Sequence, residues 1–271
     1  MYSYIERMLK MKILAIGDVC GKIGCDTVRR VLPDLKKQYL INFVVINGEN
    51  SADGNGITPS SAQSLFAYGA DVITGGNHSF KRKEICSLME ENHFLLRPDN
   101  LPNDLSGSGY CLVDCGYARV AVINLSGTIY LESLNASSPF QRADELINRA
   151  KDDDADIILV DFHAEATSEK RALGLYLDGK VSAFFGTHTH IQTNDAQILP
   201  LGTGYITDLG MTGPIDSVLG VKSSIIISRL KDKNTSEKFV LADGKCMLNG
   251  CIFDIDTNTG KTINTTLVNI S

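Results

Sequence analysis

Short apolar runs alternate with longer amphipathic segments along the first half of the chain. The runs have the length of buried strands, and the amphipathic segments have the length and periodicity of helices. Such alternation favours an α/β fold, in which helices connect the strands of a sheet. Strands are predicted at residues 12–16, 43–47, 71–74 and 93–96. Helices are predicted at residues 27–38, 59–69 and 81–91.

The second half of the chain contains more strands than helices. A hairpin is predicted at residues 110–125, helices at 139–151 and 169–177, and strands at 156–161 and 181–185. Beyond residue 194 the pattern indicates mostly strands, at residues 197–199, 204–207, 223–229, 238–242, 246–254 and 262–269. No repeat or linker divides the sequence, so we expect residues 11–271 to form one domain of two packed mixed sheets with helices outside. Residues 1–10 are expected to be an N-terminal extension.

The composition is that of a globular protein without a membrane span. The 271 residues carry a formal net charge of −6, and 43% of them are hydrophobic. An acidic chain is a poor candidate for a broad nucleic-acid surface, but a small anionic substrate can bind where cations offset its charge. No apolar run reaches the length of a bilayer span, and the first ten residues lack the apolar core of a secretory signal. We therefore expect a cytoplasmic protein without a membrane partner.

The seven cysteines are expected to be reduced thiols. Their number is odd, and no two of them have C-x-x-C spacing. The pairs Cys111/Cys115 and Cys246/Cys251 do not match the spacing of common zinc sites. The cysteines are therefore interpreted mainly as small buried hydrophobic residues.

Polar side chains with metal-binding chemistry follow five of the predicted strands. In chain order they are Asp18, Glu49, Asn50, Asn77, His78, His163, His188 and His190. Ligands bind at the carboxyl ends of strands in open α/β sheets, so parallel strands in one sheet would bring these groups to one edge. Four of the five histidines in the chain lie at such positions, which makes a chance alignment a weak explanation.

These groups suit divalent metal ions. Carboxylate and imidazole ligands are typical of Mn, Fe and Zn, and an amide oxygen is an acceptable ligand for a hard cation. The set is large enough for two ions if one carboxylate bridges them, which is the usual arrangement for displacement at phosphorus. In an extended segment His188 and His190 would project the same way, so that neighbouring metals could share one short loop.

The chain resembles the calcineurin-like metallophosphoesterases in an ordered set of motifs: Gly17-Asp18, Gly48-Glu49-Asn50, Gly75-Gly76-Asn77-His78, His163 and Gly186-Thr187-His188-Thr189-His190. The closer resemblance is to the YmdB-type bacterial branch, of which the segment at residues 202–220 is also typical. The resemblance covers nearly all of the chain from Met11 onward. It implies a four-layer α/β/β/α sandwich with a di-metal centre at one edge.

The resemblance also implies roles for single residues. The implied ligands of the first metal are Asp18, Glu49, Asn50 and His190, with Glu49 bridging to the second metal. The implied further ligands of the second metal are Asn77, His163 and His188. His78 would lie beside the metals without binding them and is the candidate catalytic residue. Members of the branch are found with iron or manganese, and zinc or magnesium are alternatives.

Two positions depart from the wider superfamily and are typical of the YmdB-type branch. Cys20 stands where most members have a histidine in the first motif, and Glu49 stands where most have an aspartate in the second. Asn50 would replace the missing histidine ligand. A Cys20 thiolate could also bind a metal.

The resemblance implies a phosphodiesterase that hydrolyses cyclic nucleotides, with 2′,3′-cyclic and 3′,5′-cyclic forms and RNA 2′,3′-cyclic ends as candidate substrates. In the expected reaction, a hydroxide that bridges the two ions attacks phosphorus while His78 protonates the leaving oxygen. Asp161 and Asp208 are candidate partners of His78 or of a ligand histidine. Two alternatives stay open: a phosphomonoesterase or nucleotidase on the same centre, and a non-catalytic metal-binding regulatory protein. The family also implies a homo-oligomer.

Overall fold

The computed structural model describes residues 10–232 and 237–271. In chain order the strands are β1 Lys10–Ile16, β2 Asp18–Val19, β3 Phe43–Asn47, β4 Val72–Thr74, β5 Tyr110–Asp114, β6 Arg119–Ser126, β7 Ile157–His163, β8 Ala183–Thr187, β9 Gln197–Ile198, β10 Gly204–Ile206, β11 Met211–Pro214, β12 Ser217–Val218, β13 Val221–Lys222, β14 Cys246–Asp256 and β15 Thr262–Ile270. The helices are α1 Gly21–Tyr39, α2 Pro59–Ala67, α3 Ile85–Glu91, α4 Pro139–Asp152, α5 Thr167–Tyr176 and α6 Ser223–Lys231, and a short 3₁₀ helix spans Glu132–Leu134.

Two large mixed sheets organise these elements. The first sheet has the order β2-β11-β14-β1-β3-β4, and β15 pairs with residues 248–255 of β14. In it β1, β3 and β4 run parallel, and β14 is antiparallel to β1. The second sheet has the order β5-β6-β7-β8-β10-β9, in which β6, β7, β8 and β10 run parallel. The predicted α/β class with mixed sheets is therefore confirmed.

Alternate residues of β1 belong to two different hydrophobic clusters, as the two faces of a buried strand require. Met11, Ile13 and Ala15 pack with residues of β6, β7 and β8, which belong to the second sheet. Leu14 and Ile16 pack with apolar residues of α1, α2 and α3. A third cluster joins the second sheet to α4 and α5.

Several predicted elements differ from those in the structure. Residues 223–229 belong to the helix α6 and not to a strand, although the β-branched Ile225, Ile226 and Ile227 favour a strand by propensity. A helix satisfies its backbone groups within the segment, whereas a strand here would need a neighbouring sheet edge. Residues 238–242 and 93–96 contribute only the isolated bridges Val221↔Leu241 and Ile73↔Leu95.

Two helices also begin at other residues than predicted. Helix α1 begins at Gly21, before the predicted residue 27, and α3 begins at Ile85, after the predicted residue 81. Residues 1–9 of the expected N-terminal extension lie outside the described residues, whereas Lys10 belongs to β1 and pairs with Asp256. Among the described residues, none of the helices is both long and apolar enough to cross a bilayer.

Candidate metal centre

Five strand ends bring the predicted polar groups together, but the strands belong to two sheets and not to one. Strands β1, β3 and β4 of the first sheet and β7 and β8 of the second end at the same side. Hydrogen bonds connect the two sheets there, because Asn47 Nδ2 and Thr74 Oγ1 both donate to Asp161 Oδ2, at 3.1 Å and 2.5 Å. The polar groups therefore meet where strand ends of two sheets face each other, and not at the expected edge of one sheet.

The His163 group consists of Asn77, His163, His188 and the Oε2 atom of Glu49. The Nε2 atom of His163 lies 2.9 Å from Asn77 Oδ1, 3.0 Å from His188 Nδ1 and 3.4 Å from Glu49 Oε2. Ligand atoms of Glu49, His163 and His188 all lie within 4.8 Å of one another. Four atoms that can each bind a metal through a lone pair thus surround one small volume.

Thr187 and Asp161 orient the ring of His163 from its Nδ1 side, opposite the nitrogen that faces the group. Its Nδ1 lies 2.9 Å from the hydroxyl of Thr187, and that hydroxyl donates to Asp161 Oδ1 at 2.7 Å. Because the hydroxyl proton is given to the carboxylate, the Thr187 oxygen accepts the proton of His163 Nδ1. The lone pair of the neutral ring then lies on Nε2, which faces the group. A carboxylate that orients a metal-binding histidine in this way is common in metalloproteins.

The charges of Glu49 and His163 are strongly interdependent in the metal-free protein. Burial alone would raise the pKa of Glu49, but the charge and hydrogen bond of His163, together with His78, hold that pKa well below its ordinary value. Burial alone would lower the pKa of His163, but Glu49 and then Asp18 raise it to about 9. Burial and the charge of His163 lower the pKa of His188 to about 3, so this ring is neutral. A proton on His163 therefore occupies the place that a cation would take.

The Asp18 group consists of Asp18, Asn50, His190 and the Oε1 atom of Glu49. His190 Nε2 lies 3.6 Å from Asp18 Oδ1 and 3.5 Å from Asn50 Nδ2. Asn50 Nδ2 donates to Glu49 Oε1 at 2.7 Å. Burial raises the pKa of Asp18 more than His190 and His163 lower it. Since Glu49 presents one oxygen to each group, it lies where a bridging carboxylate would be needed.

The amide of Asn50 faces the site with its nitrogen in this structure. Its oxygen lies 3.0 Å from His78 Nδ1, on the other side. A metal-binding role needs the oxygen inside, and a rotation of the amide by about 180° exchanges the two atoms. The same rotation would give His78 Nδ1 a donor in place of an acceptor.

His78 is held by Glu49 and Asn50, and not by either of the two candidate partners from the sequence. Its Nδ1 lies 3.3 Å from Glu49 Oε1, and its backbone N–H donates to Glu49 Oε2 at 2.8 Å. Asp161 contacts Thr187, Thr74 and Asn47 instead, so it acts on His163. This geometry corresponds to the other role considered for Asp161, that of orienting a ligand histidine.

The loop after β8 sends its two histidines to different groups. His188 and His190 have φ of 103° and 64°, so the segment is not extended and their rings do not project the same way. His188 N–H donates to Asp18 Oδ2 at 3.1 Å, which ties the loop to the opposite sheet. The expectation of parallel rings is therefore wrong, although one short loop does serve both groups.

A buried ion pair fixes this loop. Asp208 Oδ2 lies 2.6 Å from Lys170 Nζ and accepts hydrogen bonds from the backbone N–H and hydroxyl of Thr189, at 3.1 Å and 2.8 Å. Both charged side chains are fully or almost fully buried. Asp208, the other candidate partner of His78, thus holds the residue between the two histidines.

Glu165 and Thr187 are site residues that the sequence argument missed. Glu165 Oε2 lies 3.0 Å from His188 Nε2, so it accepts the proton of that nitrogen and leaves the lone pair of Nδ1 facing His163. Thr187 adjoins His188 in the sequence but contacts His163, and Glu165 follows His163 by two residues but contacts His188. Proximity in the sequence therefore gave no signal of these contacts, although such a partner for the second nitrogen of a ligand histidine is common.

Cys20 lies behind His190 and not inside the Asp18 group. Its Sγ is 3.6 Å from His190 Nδ1, the ring nitrogen opposite the one that faces Asp18. Burial, with the nearby charges of Asp18 and Glu49, raises the pKa of the Cys20 thiol well above its ordinary value. This position supports a neutral thiol in contact with His190 and gives no support to a thiolate ligand.

Gly76 lies so close to the His163 group that a larger residue would not fit at this position. A Cβ atom at this position would lie 2.3 Å from Glu49 Oε2 and 2.4 Å from His163 Nε2. The glycine therefore allows the β4 end to approach the His163 group closely. In front of both groups lies a cavity of about 750 Å³, whose polar wall includes Glu49, Asn50, His78 and Glu165.

Residues 14–268 match the model of the YmdB-like protein family. The chain belongs to this family. A curated relative from Bacillus subtilis, the 2′,3′-cyclic-nucleotide 2′-phosphodiesterase, is 48% identical over 253 residues, which cover 93% of this chain and 94% of the relative. This relative is named as a phosphodiesterase, which confirms the predicted class of enzyme, a hydrolase of phosphoric esters.

Solved structures share the fold of this YmdB-like chain. The crystal structure of a phosphatase from Mycoplasma pneumoniae is 36% identical, has a TM-score of 0.90, and covers 96% of this chain and 93% of its own. The NAD nucleotidase of Haemophilus influenzae has a TM-score of 0.58 at 14% identity, over 96% of this chain and 49% of that protein. This last likeness concerns the fold alone.

Proposed function

We propose that this YmdB-like chain is a phosphodiesterase that hydrolyses 2′,3′-cyclic nucleotides at a centre for two divalent cations. The observation that carries the proposal is the convergence of the Asp18 group and the His163 group on the two oxygens of Glu49. The 48% identical relative from Bacillus subtilis is named for activity on 2′,3′-cyclic nucleotides, which supports this substrate class.

In both groups some side-chain acceptor atoms lack a hydrogen-bond donor, and bound cations would compensate them. Asp18 Oδ1 is buried and has no hydrogen-bond partner among the described residues. At His163 Nε2, a single proton cannot satisfy Asn77 Oδ1, His188 Nδ1 and Glu49 Oε2 at once. Unsatisfied buried acceptors of this kind are costly unless a cation or donor compensates them.

The proposed ligands follow the two groups. One cation would be held by Asp18, Glu49, Asn50 and His190, and the other by Glu49, Asn77, His163 and His188. Carboxylate, imidazole and amide ligands suit Mn and Fe, with Zn or Mg as alternatives. When bound, two such ions would supply Lewis-acid stabilisation of the phosphate charge and lower the pKa of the attacking water.

His78 has the position of a general acid, since it lines the cavity and contacts Glu49 and Asn50. To act as the acid, His78 would carry protons on both ring nitrogens, with Nδ1 directed at Glu49 Oε1, 3.3 Å away, and Nε2 directed at the substrate. Water adds to phosphorus and releases one proton to solvent, the bond from phosphorus to O2′ breaks, and O2′ takes the Nε2 proton of His78, which solvent then returns. The product is then a nucleoside 3′-phosphate.

Further expectations belong to the same proposal. The three hydrophobic clusters support a four-layer α/β/β/α arrangement, with α1 to α3 on one outer face and α4 and α5 on the other. Hydrolysis of 3′,5′-cyclic nucleotides and of RNA 2′,3′-cyclic ends, a homo-oligomer, a cytoplasmic location and a single domain over residues 11–271 stay predictions. A non-catalytic regulatory role has no support from the site, where all eight predicted groups are present.

A phosphomonoesterase is the second candidate, because the 36% identical Mycoplasma pneumoniae structure is that of a phosphatase. Purified protein loaded with Mn²⁺ should convert 2′,3′-cyclic AMP to adenosine 3′-phosphate and then release little inorganic phosphate. Chelation by EDTA should abolish this conversion, and Mn²⁺ should restore it. Preferred hydrolysis of adenosine 3′-phosphate over the cyclic diester would instead identify a monoesterase.

A further inference from the structure

The cavity in front of the metal centre has a second wall of different chemistry. The apolar wall consists of Leu219, Val221, Ile226, Phe239, Val240 and Leu241, all of which line the same cavity of about 750 Å³ as Glu49, His78 and His190. One cavity therefore has a polar end, where the site groups converge, and an apolar end. Its size is within the usual range for a pocket that binds a small organic ligand.

Backbone hydrogen bonds hold the apolar wall in place beside the Asp18 group. Val221 bridges to Leu241, Lys222 N–H donates to Val240 O at 2.9 Å, and Ala242 N–H donates to Gly220 O at 2.8 Å. A Cβ atom at Gly220 would lie 3.2 Å from Cys20 Cβ, so the wall approaches the residue behind His190.

Several residues of the wall are exposed in spite of their apolar character. The exposed fractions are 60% for Phe239 and 54% for Leu219. The Arg229 guanidinium lies 3.9 Å from the centroid of the Phe239 ring, a cation–π contact that restrains this ring. Restrained, exposed aromatic and aliphatic groups at the rim of a site are characteristic of ligand recognition.

We propose that the apolar wall binds the nucleobase of the substrate while the polar end binds its phosphate. The inference rests on the proposed function and adds a specificity-determining surface to it. A nucleotide has an anionic phosphate at one end and a flat aromatic base at the other, and the cavity has the matching two ends. The wall residues offer no side-chain hydrogen-bond donor or acceptor, so they recognise the π-face and not the edge of the base.

The test compares two cyclic phosphodiesters on the Mn²⁺-loaded full-length chain. One is 2′,3′-cyclic AMP, and the other is ethylene phosphate, a cyclic diester with neither sugar nor base. Phe239→Ala should raise KM for 2′,3′-cyclic AMP about tenfold, since base–aromatic stacking is worth ~1–3 kcal/mol. The loss should lie in KM more than in kcat, and kcat/KM for 2′,3′-cyclic AMP should fall about tenfold further than kcat/KM for ethylene phosphate. The matched control is Phe94→Ala, which removes an exposed phenylalanine that does not line the cavity.

Three results would overturn the inference. One is an unchanged KM for 2′,3′-cyclic AMP in both Phe239→Ala and Leu241→Ala. Another is an equal loss on ethylene phosphate. The third is a change of molar mass by light scattering in Phe239→Ala with an unaltered KM, because the wall would then be covered by a second copy of the chain.

A binding measurement separates failure of the inference from failure of the proposed function. If the wild type hydrolyses neither diester, the proposed function is wrong, but titration with adenosine 3′-phosphate still reports on the wall. The Kd of Phe239→Ala should then exceed that of the wild type about tenfold. Equal Kd values would overturn the inference.

Discussion

Nε2 of His163 lies 3.0 Å from Nδ1 of His188, and the second nitrogen of each ring has its own oxygen partner. Thr187 accepts from His163, and Glu165 lies at 3.0 Å from His188 Nε2. Both rings thus direct a lone pair at the same point when they are neutral. The arrangement is unfavourable between the two rings alone and favourable around a divalent cation, which is why the site is interpreted as a metal centre.

The role of His78 predicts a variant that separates chemistry from metal binding. His78→Ala should keep the metal content of the wild type and lower kcat by about 10²–10⁴-fold on substrates with poor leaving groups. Activated p-nitrophenyl diesters need no proton on the leaving oxygen and should lose much less. The measurement is steady-state kinetics on both kinds of ester, beside metal analysis. An equal loss on both would contradict the general-acid role.

Glu165 should act only through His188. Glu165→Gln removes the charge that orients this ring, and such partners typically contribute about 10–100-fold to metal affinity. We expect weaker binding of the cation held by the His163 group, seen in a calorimetric titration as a lower affinity for one of the two Mn²⁺ equivalents. Glu145→Gln, another change at an exposed carboxylate, serves as the control. Equal affinities in Glu165→Gln and the wild type would show that His188 needs no such partner.

The raised pKa of His163 predicts how metal-free protein responds to pH. A histidine with a pKa of about 9 in the folded chain, against an ordinary value of 6.5, stabilises the fold fully below pH 6.5. This contribution is lost as the pH rises to 9, and it amounts to roughly 3 kcal/mol. Urea unfolding of EDTA-treated protein should show the decline, and His163→Gln should show less of it.

Metal binding should depend on pH in the opposite direction over the same range. A cation must displace the proton of His163, so its apparent affinity should rise about tenfold for each pH unit up to 9. Titrations with Mn²⁺ at several pH values measure this slope. An affinity independent of pH between 6.5 and 9 would mean that His163 holds no proton in the metal-free chain.

The buried ion pair of Lys170 and Asp208 should contribute to the free energy of unfolding. Lys170→Met leaves an unpaired buried carboxylate and should lower the free energy of unfolding by about 3–5 kcal/mol. The double variant Lys170→Met/Asp208→Asn should recover much of this loss, because the unpaired charge is then absent. Chemical denaturation of both variants measures the difference. Equal destabilisation by the single and double variants would argue against the charge as the cause.

The positions of the site residues were predictable because the ends of apolar strands are visible in the sequence. Asp18, Glu49, Asn77 and His163 each lie at such an end, and parallel pairing of β1, β3 and β4 brings the first three together. The division between two sheets was not visible, because it depends on packing between strands far apart in the chain. The conformation of His188 was not predictable either, since its φ of 103° is imposed by tertiary contacts.

Secondary-structure propensity also gave a wrong prediction in a segment whose apolar residues are partly exposed. The isoleucines of α6 suggested a strand, yet this segment has no sheet edge to join and forms a helix beside the cavity. The apolar wall therefore became apparent only in three dimensions. Partners such as Glu165 were missed because their role depends on which ring nitrogen they reach.

Metal content per chain, measured by elemental analysis together with turnover of 2′,3′-cyclic AMP, tests the central claim most directly. The wild type should contain about two equivalents of Mn or Fe and lose both metal and activity with strong chelators. Glu49→Gln removes the carboxylate shared by the two groups, so it should contain less than the wild type and be slower by about a thousandfold or more. Full activity without bound metal, or full metal content and turnover in Glu49→Gln, would contradict a shared two-cation centre.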